Sequence, residues 1–296
     1  MEVSKTDASL TVSAPAKINL YLAVLGRRPD GYHDLATQMQ KVDLSDTLHL
    51  AKIDRGIRLT CPESILPDDE ANIAYRAARL FFAETAVKGG VAITLEKRIP
   101  IAAGLGGGSS DAAAVLKGLR QLYGEASPEL LIRMARQLGA DVPFFVEELD
   151  AAWATGIGDR LVENPVALPE WIVLVNPGFD VSTKWVYENF ALTTRGNPYI
   201  FGRDLKYPFA SEAGPGDPLV LYNDLESVTM ERYGEVAALK DNLLSAGALG
   251  ALMSGSGPTV FGLFAEKEAA LNCIGMLSEQ YDKVFLTRPL VGSHRS

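Results

Sequence analysis

The sequence predicts an α+β fold divided into two domains, and three observations predict it. Strand-like runs and helical stripes occur in mixed order, without the strict strand–helix alternation of a doubly wound parallel sheet. The chain has 296 residues, long for one compact core and comfortable for two domains. Beyond about residue 165 the pattern restarts, which sets the expected domains at 1–165 and 166–296.

The elements follow in order. Leu10 to Ser13 and Ile18 to Leu25 are rich in Val, Leu, Ile and Tyr and read as two strands split at Ala14-Pro15-Ala16. Gly26 to Gly31 is turn chemistry, with Pro-Asp-Gly as its strongest signal. Segments 36–42 and 47–53 alternate as two further strands. Apolar side chains at 73, 77, 80 and 81 mark a helix over 71–86, and Val91 to Leu95 returns to strand. A glycine-rich loop opens into a helix over 109–123, whose Ala112, Val115, Leu116, Leu119, Leu122 and Tyr123 form one stripe. Ser127-Pro128 starts the next helix, an N-cap followed by proline at the first helical position, and Gly139 ends it. Trp171 to Val175, 259–265 and 283–287 read as strands, and 182–190, 233–246 and 266–281 as helices. Residues 194–218, rich in Gly, Pro and aromatics without a period, read as a long surface connection.

The net charge of −9 and pI near 5.0 give no electrostatic footprint for nucleic acid. There is no membrane-length apolar run and no signal-peptide pattern at the N-terminus, so the expected location is the cytoplasm. Cys61 and Cys273 lie in apolar-leaning segments without metal-ligand spacing and read as reduced thiols.

The sharpest local feature is Pro100-Ile101-Ala102-Ala103-Gly104-Leu105-Gly106-Gly107-Gly108-Ser109-Ser110. Its glycines let the backbone approach a ligand closely, and the helix start beyond them offers free N–H groups and a favourable dipole to an anion. Ser109 and Ser110 add hydroxyl donors, so the arrangement suits a polyphosphate. No lysine follows as in a P-loop, and the dinucleotide pattern Gly-x-Gly-x-x-Gly also misses. Standing alone, such a cluster is as often a turn that starts an ordinary helix.

Two charged residues stand out elsewhere. Lys17 lies in an otherwise apolar stretch, with Asn19 on the same side if the chain is extended. Asp141 lies in Gly139-Ala-Asp-Val-Pro143, just past a helix end. Taken singly, Lys17 reads as a lysine snorkelling from a strand end and Asp141 as a loop aspartate capping nearby N–H groups.

Together these segments resemble the three motifs of the GHMP kinases. They are Ala14-Pro-Ala-Lys-Ile-Asn-Leu-Tyr-Leu22, the glycine loop with its two additional glycines, and Met253-Ser-Gly-Ser-Gly-Pro-Thr-Val-Phe-Gly262. The resemblance covers essentially the whole chain. It implies two α+β domains with the active site in the cleft between them, and ATP and Mg²⁺ as cofactors. It also implies Asp141 as general base on an acceptor hydroxyl, and Lys17 as the cation that orients it and stabilises charge on the acceptor oxygen. The glycine loop would hold the nucleotide phosphates, with Asn72 and Lys97 near the adenine. No metal ligand is assigned.

Arg27-Arg-Pro-Asp-Gly-Tyr-His33 resembles the signature of the branch that acts on a cytidine-diphosphate sugar-alcohol in isoprenoid precursor synthesis. In that branch Tyr32 would stack on the cytosine and His33 would read its polar edge. Thr183 would hydrogen-bond and Tyr187 would close the other face of the base, with Asn19 also on the substrate. Asn223-Asp-Leu-Glu226 would support structure. The expected reaction is phosphorylation of a 2-hydroxyl, on a monomer or homodimer. The alternatives are a homoserine- or mevalonate-type kinase and a GHMP-fold binding protein without catalysis. The chain departs from the family pattern at 146–150, where a glycine-containing turn is expected.

Overall fold

The computed structural model describes residues 9–62, 64–147, 149–190 and 220–292, so the connection expected over 194–218 lies outside the described residues. Elements are numbered over these residues. The first two strands are longer than patterning predicts. Strand β1 (Ser9–Arg27) runs straight through the expected break at Pro15, and β2 (His33–Ile53) joins the two segments expected as separate strands. Proline removes one ladder donor but its φ is compatible with extended chain, so one proline need not end a strand. The residues between the two expected segments are used. Asp43 accepts from the Thr287 hydroxyl and the Arg288 N–H, and Asp46 accepts from the N–H groups of Arg98 and Ile99.

The chain forms two compact units interleaved in sequence. Unit 1 comprises Met1–Ala16, Ser45–Ile99 and Gly107–Glu148, and unit 2 comprises Lys17–Leu44, Pro100–Gly106 and Leu149–Ser296. The expected division near 165 follows chain order, whereas compactness follows which segments pack together.

In unit 1, β3 (Gly56–Thr60) pairs parallel with β4 (Gly90–Glu96), which pairs antiparallel with residues 47–53 of β2. A Cβ at Gly90 would lie 2.2 Å from the Gly56 carbonyl oxygen, so this pairing needs glycine there. Helix α1 (Ile73–Thr85) buries Ala74, Ala77, Ala78 and Phe81, and α2 (Gly107–Tyr123) buries Ala112 to Leu116 and Leu119. Gly118 of α2 faces Leu50 and Val12, allowing the helix to lie close on the strands. Helix α3 (Pro128–Leu138) starts as expected, with the Ser127 hydroxyl accepting from the Leu130 N–H. A short helix α4 (Val142–Val146) follows, which the sequence reading did not anticipate.

In unit 2, residues of β1 pair parallel with β8 (Tyr222–Asn223), and residues 35–40 of β2 pair antiparallel with β5 (Ala151–Gly156). Strand β6 (Arg160–Glu163) pairs with β5. A four-stranded sheet has the order β11 (Lys283–Thr287), β7 (Trp171–Asn176), β10 (Val260–Phe264), β9 (Gly250–Met253) and is antiparallel throughout. Strand β7 is buried along its length, which explains its unbroken apolar run. It packs with Val186 of α5 (Thr183–Asn189), Leu225 of α6 (Asp224–Arg232), Val236, Leu239 and Leu243 of α7 (Gly234–Ser245), and Cys273 and Leu277 of α8 (Lys267–Leu277). Cys273 is thus a core residue, as expected. Strands β5 and β9 and helix α6 escaped the sequence reading because the first two are short and rich in alanine or glycine, and α6 is weakly amphipathic.

Candidate active site

The three motifs meet within unit 2. Lys17, placed by the extended course of β1, sends its ammonium to the Asn19 Oδ1 at 2.5 Å and to the Gly104 carbonyl oxygen at 3.0 Å. The Ser254 hydroxyl donates to the same carbonyl at 3.0 Å and accepts from the Asn19 backbone N–H at 3.2 Å. Backbone bonds tie the glycine loop on both sides, from the Lys17 N–H to the Leu105 oxygen and from the Thr259 N–H to the Ala103 oxygen. Lys17, Asn19 and Ser254 are all buried. Residues that are adjacent here are far apart in the chain.

Two glycines are required by this packing. Gly104 has φ +77°, and a Cβ there would lie 2.1 Å from the Ser254 carbonyl oxygen. Gly255 has φ +57°, and its Cβ would come to 3.2 Å from Asn19 Oδ1 and 3.4 Å from Lys17 Nζ. Ala102, with φ +51°, takes the left-handed region at a position that is not glycine, a local strain that the ties on either side can hold. Asn223 supports the third motif by donating to the carbonyl oxygens of Met253 and Gly255, and Glu226 accepts from the Met253 N–H. Asp224 accepts from the Val24 N–H at 2.7 Å. The supporting role expected for this segment is what these contacts describe.

The residues expected at the acceptor also lie in unit 2. The turn before β2 is held by Arg28, whose guanidinium bonds Asp30 and Asp34 and whose N–H donates to the Tyr32 carbonyl oxygen. Tyr32 is left 62% exposed, so its ring face is open to a ligand. His33 stacks on Tyr187 of α5, ring centroids 5.2 Å apart. Tyr187 therefore offers one face to His33, a contact the sequence reading did not foresee. Burial and the nearby Arg27 push the His33 pKa below its ordinary value, which favours the neutral imidazole with one donor and one acceptor. The Thr183 hydroxyl shares a 2.8 Å hydrogen bond with that of Ser256, in the third motif.

Unit 1 carries the rest. Gly107, Gly108, Ser109 and Ser110 form the first turn of α2, so its free N–H groups sit directly after the loop Pro100–Gly106. The Ser110 hydroxyl is buried and has no hydrogen-bond partner among the described residues. An orphaned hydroxyl beside free helix N–H groups fits an anionic ligand such as a nucleotide phosphate. Asp141 stands at the N-cap position of α4, yet its side chain makes no capping hydrogen bond.

Lys97 has a structural engagement that the sequence did not reveal. Its ammonium bridges Asp46 and Asp111, the latter at 2.8 Å, and all three are largely buried. Burial works against the ammonium, but Asp111 and Asp46 outweigh it and hold the Lys97 pKa above its usual value. Burial, with the Asp46 charge adding to it against the pull of Lys97, pushes the Asp111 carboxyl up to about 7. Asn72 caps α1 through its Oδ1 on the Ala74 N–H, while its Nδ2 donates to the Pro67 carbonyl oxygen. Asp46, Asp111 and Ser254 are site residues to which sequence reasoning gave no role; the one signal for the first two is a carboxylate inside an otherwise buried stretch. Among the described residues no group of three or more His, Cys, Asp or Glu side chains is placed to hold a metal ion. The described residues also contain no helix long and apolar enough to cross a membrane.

Comparison with known proteins agrees with this geometry. Residues 72–148 match the model for the N-terminal domain of GHMP kinases and residues 212–283 the model for their C-terminal domain. The 4-diphosphocytidyl-2-C-methyl-D-erythritol kinase of Geobacter sulfurreducens is 48% identical over 270 residues, covering 90% of this chain and 94% of that one. The enzyme of the same name from Syntrophotalea carbinolica is 50% identical over 261 residues, covering 87% and 90%. A crystal structure of 4-(cytidine 5'-diphospho)-2C-methyl-D-erythritol kinase superposes with a TM-score of 0.80 at 37% identity, covering 96% of this chain and all of that one. A homoserine kinase from Cytophaga hutchinsonii, 18% identical with a TM-score of 0.69 over 99% of this chain and 98% of that one, shares the fold.

Proposed function

The chain belongs to the GHMP kinases, in the family of 4-diphosphocytidyl-2-C-methyl-D-erythritol kinases, and on that premise we propose that it transfers the γ-phosphoryl group of ATP to the 2-hydroxyl of 4-diphosphocytidyl-2-C-methyl-D-erythritol. The observation that carries the reading is the junction of Lys17, Asn19, Gly104 and Ser254, which joins all three motifs around one buried ammonium.

In this reading Asp141 takes the proton of the acceptor hydroxyl as its oxygen bonds to the γ-phosphorus. The bond from that phosphorus to the bridging oxygen breaks, and ADP leaves with the electron pair. Lys17 holds the acceptor oxygen in line and offsets its developing charge. The N–H groups opening α2 and the Ser110 hydroxyl receive the phosphates. Mg²⁺ would supply further charge neutralisation on the phosphates, with no residue of this chain assigned to hold it. Tyr32 stacks on the cytosine, neutral His33 reads its edge, and Thr183 contributes a hydrogen bond. Lys97 and Asn72 serve the nucleotide side by shaping the walls around it. The enzyme works in the cytoplasm, as a monomer or a homodimer.

ADP release from purified protein given ATP, Mg²⁺ and the cytidyl substrate tests the proposal beside Asp141→Asn. Substrate-dependent release by the wild type, with the variant at least about 100-fold slower but still binding ATP, is the expected result. Equal turnover by the variant removes Asp141 as base, and no turnover by the wild type removes the acceptor.

A further inference from the structure

Thr37 lies on β2, is 3% exposed, and sits beside Asn19 without belonging to any of the three motifs. Its hydroxyl donates to the Tyr21 carbonyl oxygen at 2.6 Å and accepts from Asn19 Nδ2 at 2.8 Å. A hydroxyl has one proton. With that proton committed to Tyr21, Thr37 can only accept from Asn19, so the amide must turn its NH₂ toward Thr37 and its oxygen toward Lys17. The Asn19 oxygen then accepts from the Lys17 ammonium. Were the amide reversed, its NH₂ would face an ammonium that has only donors, and its oxygen would face a hydroxyl whose proton is elsewhere. Asn19 and Lys17 are 3% and 4% exposed, so water is poorly placed to repair either mismatch.

We infer that Thr37 is a positioning residue for phosphoryl transfer: by fixing which way the Asn19 amide faces, it fixes the place of the Lys17 ammonium. The inference rests on the proposed reaction for its catalytic consequence and on the hydrogen-bond directions for its geometry. It separates the roles of two neighbouring polar residues. Asn19 touches the catalytic cation, whereas Thr37 acts through Asn19 alone. A short chain of committed donors and acceptors thus turns a neutral strand residue into a determinant of where a charge sits.

Thr37→Val keeps the shape of the side chain and removes the acceptor. The expected result is a kcat at least about tenfold lower with the KM for ATP changed less than about twofold, because misplacement of a catalytic group acts on the chemical step. Thr37→Ser keeps the hydroxyl and returns kcat to within about threefold of wild type. On an Asn19→Ala background Thr37→Val adds no further loss, since the group it acts through is gone. A side-chain measurement reads the geometry without turnover: the Asn19 NH₂ protons exchange slowly with solvent in the wild type and faster in Thr37→Val. An unchanged kcat, a failure of serine to restore it, or an undiminished loss on the Asn19→Ala background overturns the inference in favour of general packing. If the wild type turns over no cytidyl substrate, the proposed reaction falls, and unchanged Asn19 exchange in Thr37→Val is then what overturns the positioning geometry.

Discussion

Lys17 in unit 2 and Lys97 in unit 1 are both buried lysines beside segments of the glycine loop, but they are held by different physics. Lys97 lies between two carboxylates, Asp46 and Asp111, and the former also receives two backbone N–H groups at the strand exit before the loop. Lys17 donates to an amide oxygen and a backbone carbonyl, and the amide is itself oriented by Thr37. The first arrangement is specified by charge, which tolerates small errors in angle. The bonds of Lys17 to Asn19 and Gly104 depend on dipoles pointing the right way, which demands correct neighbours. The comparison fits a lysine that holds a loop in place on one side and, in the proposed reaction, one that meets the acceptor on the other.

The contrast is sharpest if each site is broken. Asp46→Ala leaves Lys97 without one of its carboxylates and two N–H groups without their acceptor, and is expected to lower unfolding free energy by about 3–5 kcal/mol in urea titration. Lys17→Met is expected to lower kcat by about 100- to 1,000-fold while the protein still folds. If Lys17→Met unfolds the chain, or Asp46→Ala leaves stability intact, the division between holding and reacting is wrong.

A smaller effect tests the acceptor end. Tyr32 is exposed, so Tyr32→Ala is expected to cost stacking worth about 1–3 kcal/mol, read as a higher KM for the cytidyl substrate with that for ATP unchanged. An equal rise in both removes the stacking role.

A last effect, read as a slope with pH and not as a single loss, concerns Asp111. Its folded-state pKa lies above its unfolded value, so the folded chain keeps a proton that the unfolded chain releases as pH rises from about 4 to about 7. The contribution is therefore fully present at low pH and is lost as pH rises through about 7, with a slope of at most about 1.4 kcal/mol per pH unit. Asp111→Asn should flatten the stability curve in that window, and parallel curves for variant and wild type remove the raised pKa.

Much of the fold was legible along the chain because its signals are local. Ser127-Pro128 is a helix start, read from residue types that compete for helix-end N–H groups, and the stripe on α2 is read from spacing, whereas the capping role of Asn72 appeared only in the structure. The continuous course of β1 and β2 was not legible. Pro15 was expected to split a strand, yet β1 continues through it, and the gap expected between 42 and 47 closes where Asp43 and Asp46 find partners distant in sequence. The same holds in the site. Lys17, Asn19 and the glycine loop were legible as motifs, whereas Thr37 carries no local signature that separates it from an ordinary strand residue, and Asp46 and Asp111 show only as carboxylates in otherwise buried stretches.

The sequence by itself determined the α+β class, the start of α3, the three motifs and the family they point to. Those follow from periodicity, from end-capping chemistry and from glycines at left-handed turns, all of which act between near neighbours in the chain. Only the tertiary structure decided that Lys97 is held by two carboxylates, that His33 stacks on Tyr187, and that the Asn19 amide turns its oxygen to Lys17. These depend on which donors and acceptors, distant in sequence, lie within hydrogen-bond reach once water has been excluded, and no spacing along the chain encodes that.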